Sequence, residues 1–296
     1  MNGFFGWLSR QRFDRPPGPT GWLDLPIRRA MAAELPTYRA AWRREQEPAR
    51  PIFLYKAWLD LLGVFPAYVA QEIGDCTSQG FGRGWDLLQA VEVALGRQST
   101  YREVWTEYLY GASRRAAGLL GTSGDGSFGS ATAKAAIETG VVPRLRPYSG
   151  ETAKSWGYYG PPADLAVEAR PLGSVALIET WADLVSALWN GYPVAVCSDR
   201  GFTLERDREG FCAPRGQWAH CMLIGGAKFG RRPGACILQS WGPDVPGGPL
   251  ADGQPSFSFW ADKEVVERML AQGDTFALSD SPELSPRNLP GSYTRW

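Results

Sequence analysis

Apolar positions recur along this chain with two different periods, and the change falls near its middle. From Pro51 the sequence turns strongly apolar. After Cys76, Trp85, Leu88, Val91 and Leu95 follow at three- and four-residue steps, the spacing of one helix face. A second helix is predicted over residues 100–117, with Val104, Tyr108 and Tyr110 among its apolar positions. A third is predicted over 131–139, stopped by Gly140, since glycine readily takes the left-handed conformation that closes a helix. Between them lies a glycine-rich loop, residues 121–129. Glycines at 80, 82 and 84 interrupt the first helix near its start, which predicts close packing or ligand approach there.

Past Pro161 the pattern becomes short apolar runs bounded by turn residues. Strands are predicted at 174–178, 194–198, 220–225 and 235–239. Helices are predicted at 181–189 and 262–271, and beyond Gly247 the pattern is uninformative. The expected fold class is therefore α+β, a helical lobe (about 51–160) followed by a β-rich lobe (about 161–280). No internal repeat or low-complexity tract is present.

Residues 1–50 have a different character. Pro16, Pro17 and Pro19 break the start, and 27–47 is rich in arginine and alanine and reads as helix-forming. This stretch is read as an N-terminal extension preceding a domain at 51–296. A solvated or partner-facing helix, a propeptide-like segment and a segment that docks an assembly partner all fit it.

Composition narrows the function classes. A chain of 296 residues buries about three quarters of its unfolded surface, enough for two lobes around one cleft. Hydrophobic residues make up 44% and charged residues 21%, as in ordinary globular proteins. Lys plus Arg equals Asp plus Glu at 31 each, so net charge points to neither nucleic acid nor an anionic membrane as partner. No run is apolar enough for a membrane span, and the first ten residues lack the pattern of a signal peptide. A cytoplasmic protein or a virion component released by lysis is expected. The five cysteines, 76, 197, 212, 221 and 236, are odd in number and lack metal-knuckle spacing. No disulfide framework, metal or other cofactor is expected, although a pair among the later four remains open.

The candidate chemistry lies in three places. Cys76 ends the run Gln71-Glu-Ile-Gly-Asp-Cys76 at a predicted helix start, where the positive end of the backbone dipole favours thiolate. His220, the one histidine, lies within an apolar run between Trp218 and Met222. Gln239-Ser240-Trp241-Gly242 follows. A thiol, a distant imidazole and a polar residue before Trp-Gly are the parts of a nucleophilic thiol system.

In this order, with His220 lying 144 residues after Cys76, the chain resembles the papain-like cysteine peptidases. The resemblance covers roughly residues 65–245. It implies a two-lobed α+β fold, an N-terminal helical lobe and a C-terminal antiparallel β-rich lobe with the site where the two meet, peptide or protein substrates and an acyl-enzyme route. Cys76 would be the nucleophile and His220 the acid-base partner. Gln71 and the Cys76 N–H would hold the oxyanion, and Gln239 would orient the imidazole through its amide oxygen. Trp241 would shield that bond, and Ser123, Gly124, Asp125 and Gly126 would line the substrate cleft. The run from Asn190 to Val196 is similar to the family's approach to its second lobe. Cys221, next along the strand from His220, is expected to face the core.

Three departures stand out. Gln239 replaces the usual Asn, Asp75 replaces the usual Ser before the cysteine, and Thr77 replaces the usual Trp after it. Two other readings stay open. The string Asp75-Cys76-Thr77-Ser78 is similar to that of cell-wall amidopeptidases, which cleave peptidoglycan cross-bridges, although their histidine usually lies nearer the cysteine. A papain-like scaffold with a structural role in a phage particle or bacterial assembly is the other.

Overall fold

The structure, a computed structural model, describes residues 15–38, 50–282 and 284–294. Helix α1 (Pro26–Ala33) belongs to the N-terminal segment, and strand β1 (Ile52–Phe53) and helix α2 (Lys56–Leu62) follow it. Helices α3 (Cys76–Ala94), α4 (Thr106–Ala116), α5 (Gly129–Glu138) and α6 (Gly150–Tyr159) build the first lobe. The second lobe holds β2 (Ser174–Leu177), α7 (Trp181–Trp189), β3 (Val194–Phe202), β4 (Pro214–Lys228), β5 (Gly234–Leu238), β6 (Ser258–Asp262), α8 (Lys263–Leu270) and β7 (Thr275–Ser279). Its strands form one antiparallel sheet in the order β2-β7-β3-β4-β5-β6, and β1 adds to β4 through Ile52 opposite Ala227. The helical-then-β order expected from the sequence is the order observed.

Helix α3 is the element on which the lobes meet. It is buried on almost every side, Leu87, Leu88 and Val91 included, so its apolar residues do not form a single stripe. Its glycines explain how it fits. A β-carbon at Gly80 would lie 2.9 Å from Cys221 Sγ and 3.3 Å from the Met222 carbonyl, and one at Gly82 would lie 2.7 Å from Thr106. The helix therefore lies directly on β4 on one side and against α4 on another. That is the close approach the three glycines predict.

Several boundaries differ from the expectation. The second helix starts at Thr106 rather than 100, because the preceding backbone is held extended: Val104 N–H donates to Asp86 Oδ1 at 2.8 Å and Trp105 N–H to the Val142 carbonyl at 2.8 Å. The arginine- and alanine-rich run is helical only to Ala33. Pro36 disfavours helix in the residue before it, and the chain turns there to exchange hydrogen bonds with Leu177, whose N–H donates to Pro36 and whose carbonyl accepts from Tyr38. Met31, Ala32 and Tyr38 are buried in the main core, so the described part of the extension is packed and not a solvated helix. Residues 39–49, where the expected run continues, lie outside the described residues.

Helix α6 and strands β6 and β7 were not anticipated. Ser149 caps α6 by accepting from the Thr152 N–H at 3.2 Å, but Gly150 and Gly157 dilute its apolar face. Residues of β6 and β7 are buried on both faces, so they lack the alternation that marks a half-exposed strand.

Gly80→Ala is expected to destabilise the protein by about 1–2 kcal/mol in urea denaturation. The overlap with Cys221 outweighs the roughly 1 kcal/mol gain in helix propensity. In a Cys221→Ala background, which removes the opposing sulfur, the loss is expected to fall close to zero.

Candidate active site in the cleft between the lobes

Cys76 is the first residue of α3 and His220 lies on β4, the strand against which α3 packs. A register shift in the β3–β4 pairing falls just before His220, where Ser198 opposite His220 gives way to Arg200 opposite Gln217. Ala219 there has φ 48°, a left-handed conformation that costs a residue with a side chain about 1 kcal/mol or more. Such an irregularity re-aims the next side chain. His220 turns to stack on Trp241 at 4.0 Å with an interplanar angle of 13°, and Trp218 meets the other ring edge-on at 4.9 Å. Cys221 faces α3, as expected, with its sulfur toward Gly80.

The N-terminal segment lies across this cleft. Gly21 packs against Gly74 so closely that a β-carbon there would overlap the Gly74 carbonyl. Its carbonyl accepts from the Ser127 N–H at 2.9 Å, and the Leu23 N–H donates to the Ser127 carbonyl at 2.8 Å. Trp22 N–H donates to the Ala219 carbonyl, the residue before His220, at 3.0 Å. Upstream, the Pro19 carbonyl accepts from Trp241 Nε1 at 2.8 Å and from Gln71 Nε2 at 2.9 Å. Residues 19–23 thus form a strap held by backbone hydrogen bonds to both lobes. Cys76 and His220 lie beneath it, each 0% exposed.

Burial sets the protonation of both. The Cys76 thiol is pushed well above its ordinary value, chiefly by desolvation and further by the neighbouring Cys221 thiol and Asp75; the Cys221 and Gly21 backbone amides oppose this only in part. His220 is lowered to about 3 by desolvation alone, and neither ring nitrogen has a hydrogen-bond partner. In this closed arrangement thiol and imidazole are both neutral.

The two glutamines are otherwise engaged. Gln239 spends its amide on its own loop, accepting from the Trp241 N–H and donating to the Gly242 and Val245 carbonyls. It does not reach the imidazole. Gln71 accepts from the Ser240 hydroxyl and donates to Ile73 as well as to Pro19. Its amide therefore already binds a peptide carbonyl of the strap. Thr77 is buried within the first turn of α3. Asp75 is buried with Oδ2 accepting from Gln79 Nε2 at 2.9 Å, and burial raises its carboxyl to about 7.

Of the glycine-rich loop residues, Ser123, Gly124 and Asp125 are exposed and Gly126 is buried beside the strap. Ser123 and Gly124 line a separate cavity of about 480 Å³ with Arg114, Lys154 and Tyr158. Arg114, which no sequence pattern marks, fixes the loop: it donates to the Gly126 carbonyl at 2.8 Å and the Gly157 carbonyl at 2.7 Å, while Tyr110 Oη accepts from the Gly126 N–H at 2.8 Å. Ser127 and Ala219, the strap's backbone partners, were also missed, because a backbone contact leaves no trace in residue type. All five cysteines are free and buried. Among the described residues no helix is long and apolar enough to cross a membrane, and no cluster of acidic, histidine and cysteine side chains is set to hold a metal.

No protein-family model matches the sequence, and no curated protein matches it. Solved structures do. Xylellain, a cysteine protease from Xylella fastidiosa, aligns with TM-score 0.61 at 16% identity over 90% of this chain and 97% of that one. A procathepsin B from Trypanosoma congolense aligns with TM-score 0.59 at 11% identity, over 88% and 86% of the two chains. A digestive procathepsin L2 from Tenebrio molitor gives 0.57 at 14%, over 88% and 78%. The fold is that of the papain-like cysteine proteases. Within this papain-like fold Cys76 and His220 stand at the junction of the lobes, and the strap covers them.

Covering an imidazole links closure to pH. The folded value of His220, about 3, lies below the ordinary 6.5. An open or unfolded chain therefore takes up a proton first as pH falls below about 6.5, and the closed form loses stability through that window. Hydrogen exchange at the Trp22 and Leu23 amides, corrected for intrinsic rate, is expected to show roughly tenfold less protection at pH 5 than at pH 7. In His220→Gln, which has nothing to protonate there, the loss of protection at pH 5 should disappear or reverse, because the raised carboxyls of Asp75 and Asp274 favour the closed form as pH falls; a persisting loss would remove the imidazole from the account.

Proposed function

We propose that this chain is a thiol-dependent peptidase held closed by its own N-terminal strap. The observation that carries the reading is the strap itself: an extended peptide lying over Cys76, paired with Ser127 and Ala219 through its backbone, with one carbonyl on Gln71. A cleft that binds this peptide through main-chain groups suits peptide substrates of many sequences.

In the open form the Cys76 thiolate and the His220 imidazolium are solvated and stabilise one another, and the helix dipole adds to the thiolate's stability. The sulfur attacks a peptide carbonyl carbon, and the oxyanion takes hydrogen bonds from the Cys76 N–H and from the Gln71 amide donor that Pro19 now occupies. As the C–N bond breaks, His220 gives its proton to the leaving amine. A water molecule, deprotonated by His220, then attacks the thioester and releases the acid. Gln239 must leave its own loop to reach the ring, and Trp241 covers that bond.

One observation favours the scaffold reading instead: in the closed form Gln239 makes no contact with His220, so the orienting bond is absent. The two readings separate in the full-length Gly21→Ala chain, where the added β-carbon lifts the strap from Gly74. Selective alkylation of Cys76 by iodoacetamide at pH 5.5 and hydrolysis of a mixed fluorogenic peptide library are both expected there. Cys76→Ala should abolish hydrolysis, and His220→Ala should lower it by about 10³-fold or more. Gln239→Asn should keep or raise it. Hydrolysis by Gln239→Ala at the parent rate would dismiss the orienting role, and a Gly21→Ala chain inert to both tests would favour the scaffold.

A further inference from the structure

Strands β3 and β4 carry two cysteines that the proposed peptidase does not use. Cys197 and Cys221 stand directly opposite one another in the antiparallel pairing of these strands, and both thiols are free and buried. Opposed residues in such a ladder alternate between pairs that exchange hydrogen bonds and pairs that do not. The Cys197 N–H points away from β4 and donates to the Asp274 carbonyl at 3.2 Å, on the β7 side of β3. Cys197 and Cys221 are therefore a pair without mutual hydrogen bonds, flanked by the bonded pairs Val196–Met222 and Ser198–His220.

That pair type fixes the geometry. Its α-carbons stand about 4.5 Å apart, inside the roughly 4.4–6.8 Å that a disulfide spans, and both side chains leave the sheet on one face. The face is the one covered by α3, where Cys221 Sγ meets Gly80. Opposed β-carbons lie about 4.5–5.5 Å apart, least in pairs of this type, against the roughly 3.8 Å of an unstrained bridge. A small approach of the two strands closes the bond and leaves it under tension, which makes it easily reduced. Cys236, by contrast, lies opposite Gly226 and Trp260. In the closed protein the pair is dormant: burial holds the Cys197 thiol well above its ordinary value, contact with the Cys221 thiol adds to this, and a neutral thiol does not attack. Exchange belongs to the folding chain or to a form in which the lobes have parted.

We propose that Cys197 and Cys221 are a redox modification site, joined by a reversible cross-strand disulfide through exchange with a small disulfide such as oxidised glutathione, and that the bridge steadies the strand segment that aims His220. One cysteine, deprotonated, attacks a sulfur of oxidised glutathione and releases a glutathione thiolate. The second, deprotonated, attacks the protein sulfur of the mixed disulfide and releases another. The two thiolates take up the two protons given off, so two protein thiols are oxidised and one glutathione disulfide is reduced to two thiols.

The bridge lies one residue from His220 and immediately before the register shift between Ser198 and Arg200, where Ala219 holds φ 48°. In the closed form the Trp22 N–H secures the Ala219 carbonyl, and Gln239 gives the ring no bond. A covalent tie at Cys221 keeps this irregular stretch in register when the strap is gone. Only the use of a steadied imidazole rests on the peptidase reading; the bridge does not.

The test unfolds the full-length chain in urea, refolds it at about pH 8 with oxidised and reduced glutathione, blocks free thiols with N-ethylmaleimide and maps the peptides by mass without reduction. The Cys197 and Cys221 peptides are expected to be joined, with Cys76, Cys212 and Cys236 carrying maleimide, and dithiothreitol should separate the pair. Free thiols at all five positions, or a bridge that includes Cys76, would overturn the site. Should the chain not regain its native circular dichroism, protein folded during secretion into the bacterial periplasm, an oxidising compartment, is mapped in the same way with the same outcomes.

Hydrogen exchange then compares the bridged and the reduced protein. The His220 and Met222 amides are expected to exchange about tenfold more slowly in the bridged form, with the amides of α6 unchanged. Equal rates, or an equal slowing in α6, remove the steadying of His220. A bridge that forms and slows these amides in a chain that hydrolyses no peptide leaves the proposal standing and removes the peptidase reading. Hydrolysis by a chain that never bridges does the reverse.

Discussion

The contact between the glycine-bearing side of α3 and strand β4 is the constraint on which the rest of the structure depends. It puts the start of a helix, with its positive dipole end, against the strand that carries the one imidazole. Gly80 leaves no room for a side chain between α3 and Cys221. Once helix and strand are fixed, Cys76 and His220 belong to one cleft. The loop held by Arg114 and Tyr110 forms the facing wall.

Desolvation then decides the chemical state of what the cleft contains. A strap of a few residues excludes water from Cys76 and His220, and each becomes neutral for the same reason: neither charge has solvent or an adequate partner. On the proposed peptidase reading closure and reactivity are opposed: the groups that form an ion pair in an open cleft are held uncharged in the closed one, and the strap acts through dielectric as well as by obstruction. Buried carboxyls near the site follow the same rule, with Asp75 raised to about 7 and Asp274 to about 6.

The described part of the N-terminal segment, residues 15–38, is therefore part of the folded body and not an appendage. It shares the core through Met31, Ala32 and Tyr38, exchanges backbone hydrogen bonds with both lobes and places one indole between them. On the peptidase reading, its Pro19 carbonyl and its Gly21 backbone occupy the contacts proposed for an extended peptide substrate. The strap and the cleft consequently report on each other's shape.

Local sequence determined a good deal. The α3 helix and its start at Cys76, the 181–189 helix, the strands through Val194 and His220, and the change from helical to β-rich halves follow from periodicity and turn residues, because these depend on neighbours within one or two turns. The inward direction of Cys221 followed from strand alternation. The Cys, His and Trp-Gly positions could be named from their types and order. Only the tertiary structure decided what those residues do with their hydrogen bonds. Gln71 and Gln239 have amides that many partners can satisfy, and the choice went to Pro19 and to the Gln239 loop through contacts distant in sequence or set by loop shape. The arginine- and alanine-rich run reads as helix on propensity alone, yet Pro36 and pairing with Leu177 end it early. Ser127, Ala219 and Asp274 gave no signal, since backbone groups look alike in every residue and a buried aspartate is indistinguishable in sequence from a solvated one. Burial and long-range pairing are properties of the assembled chain, and they set both the protonation and the occupancy of this site.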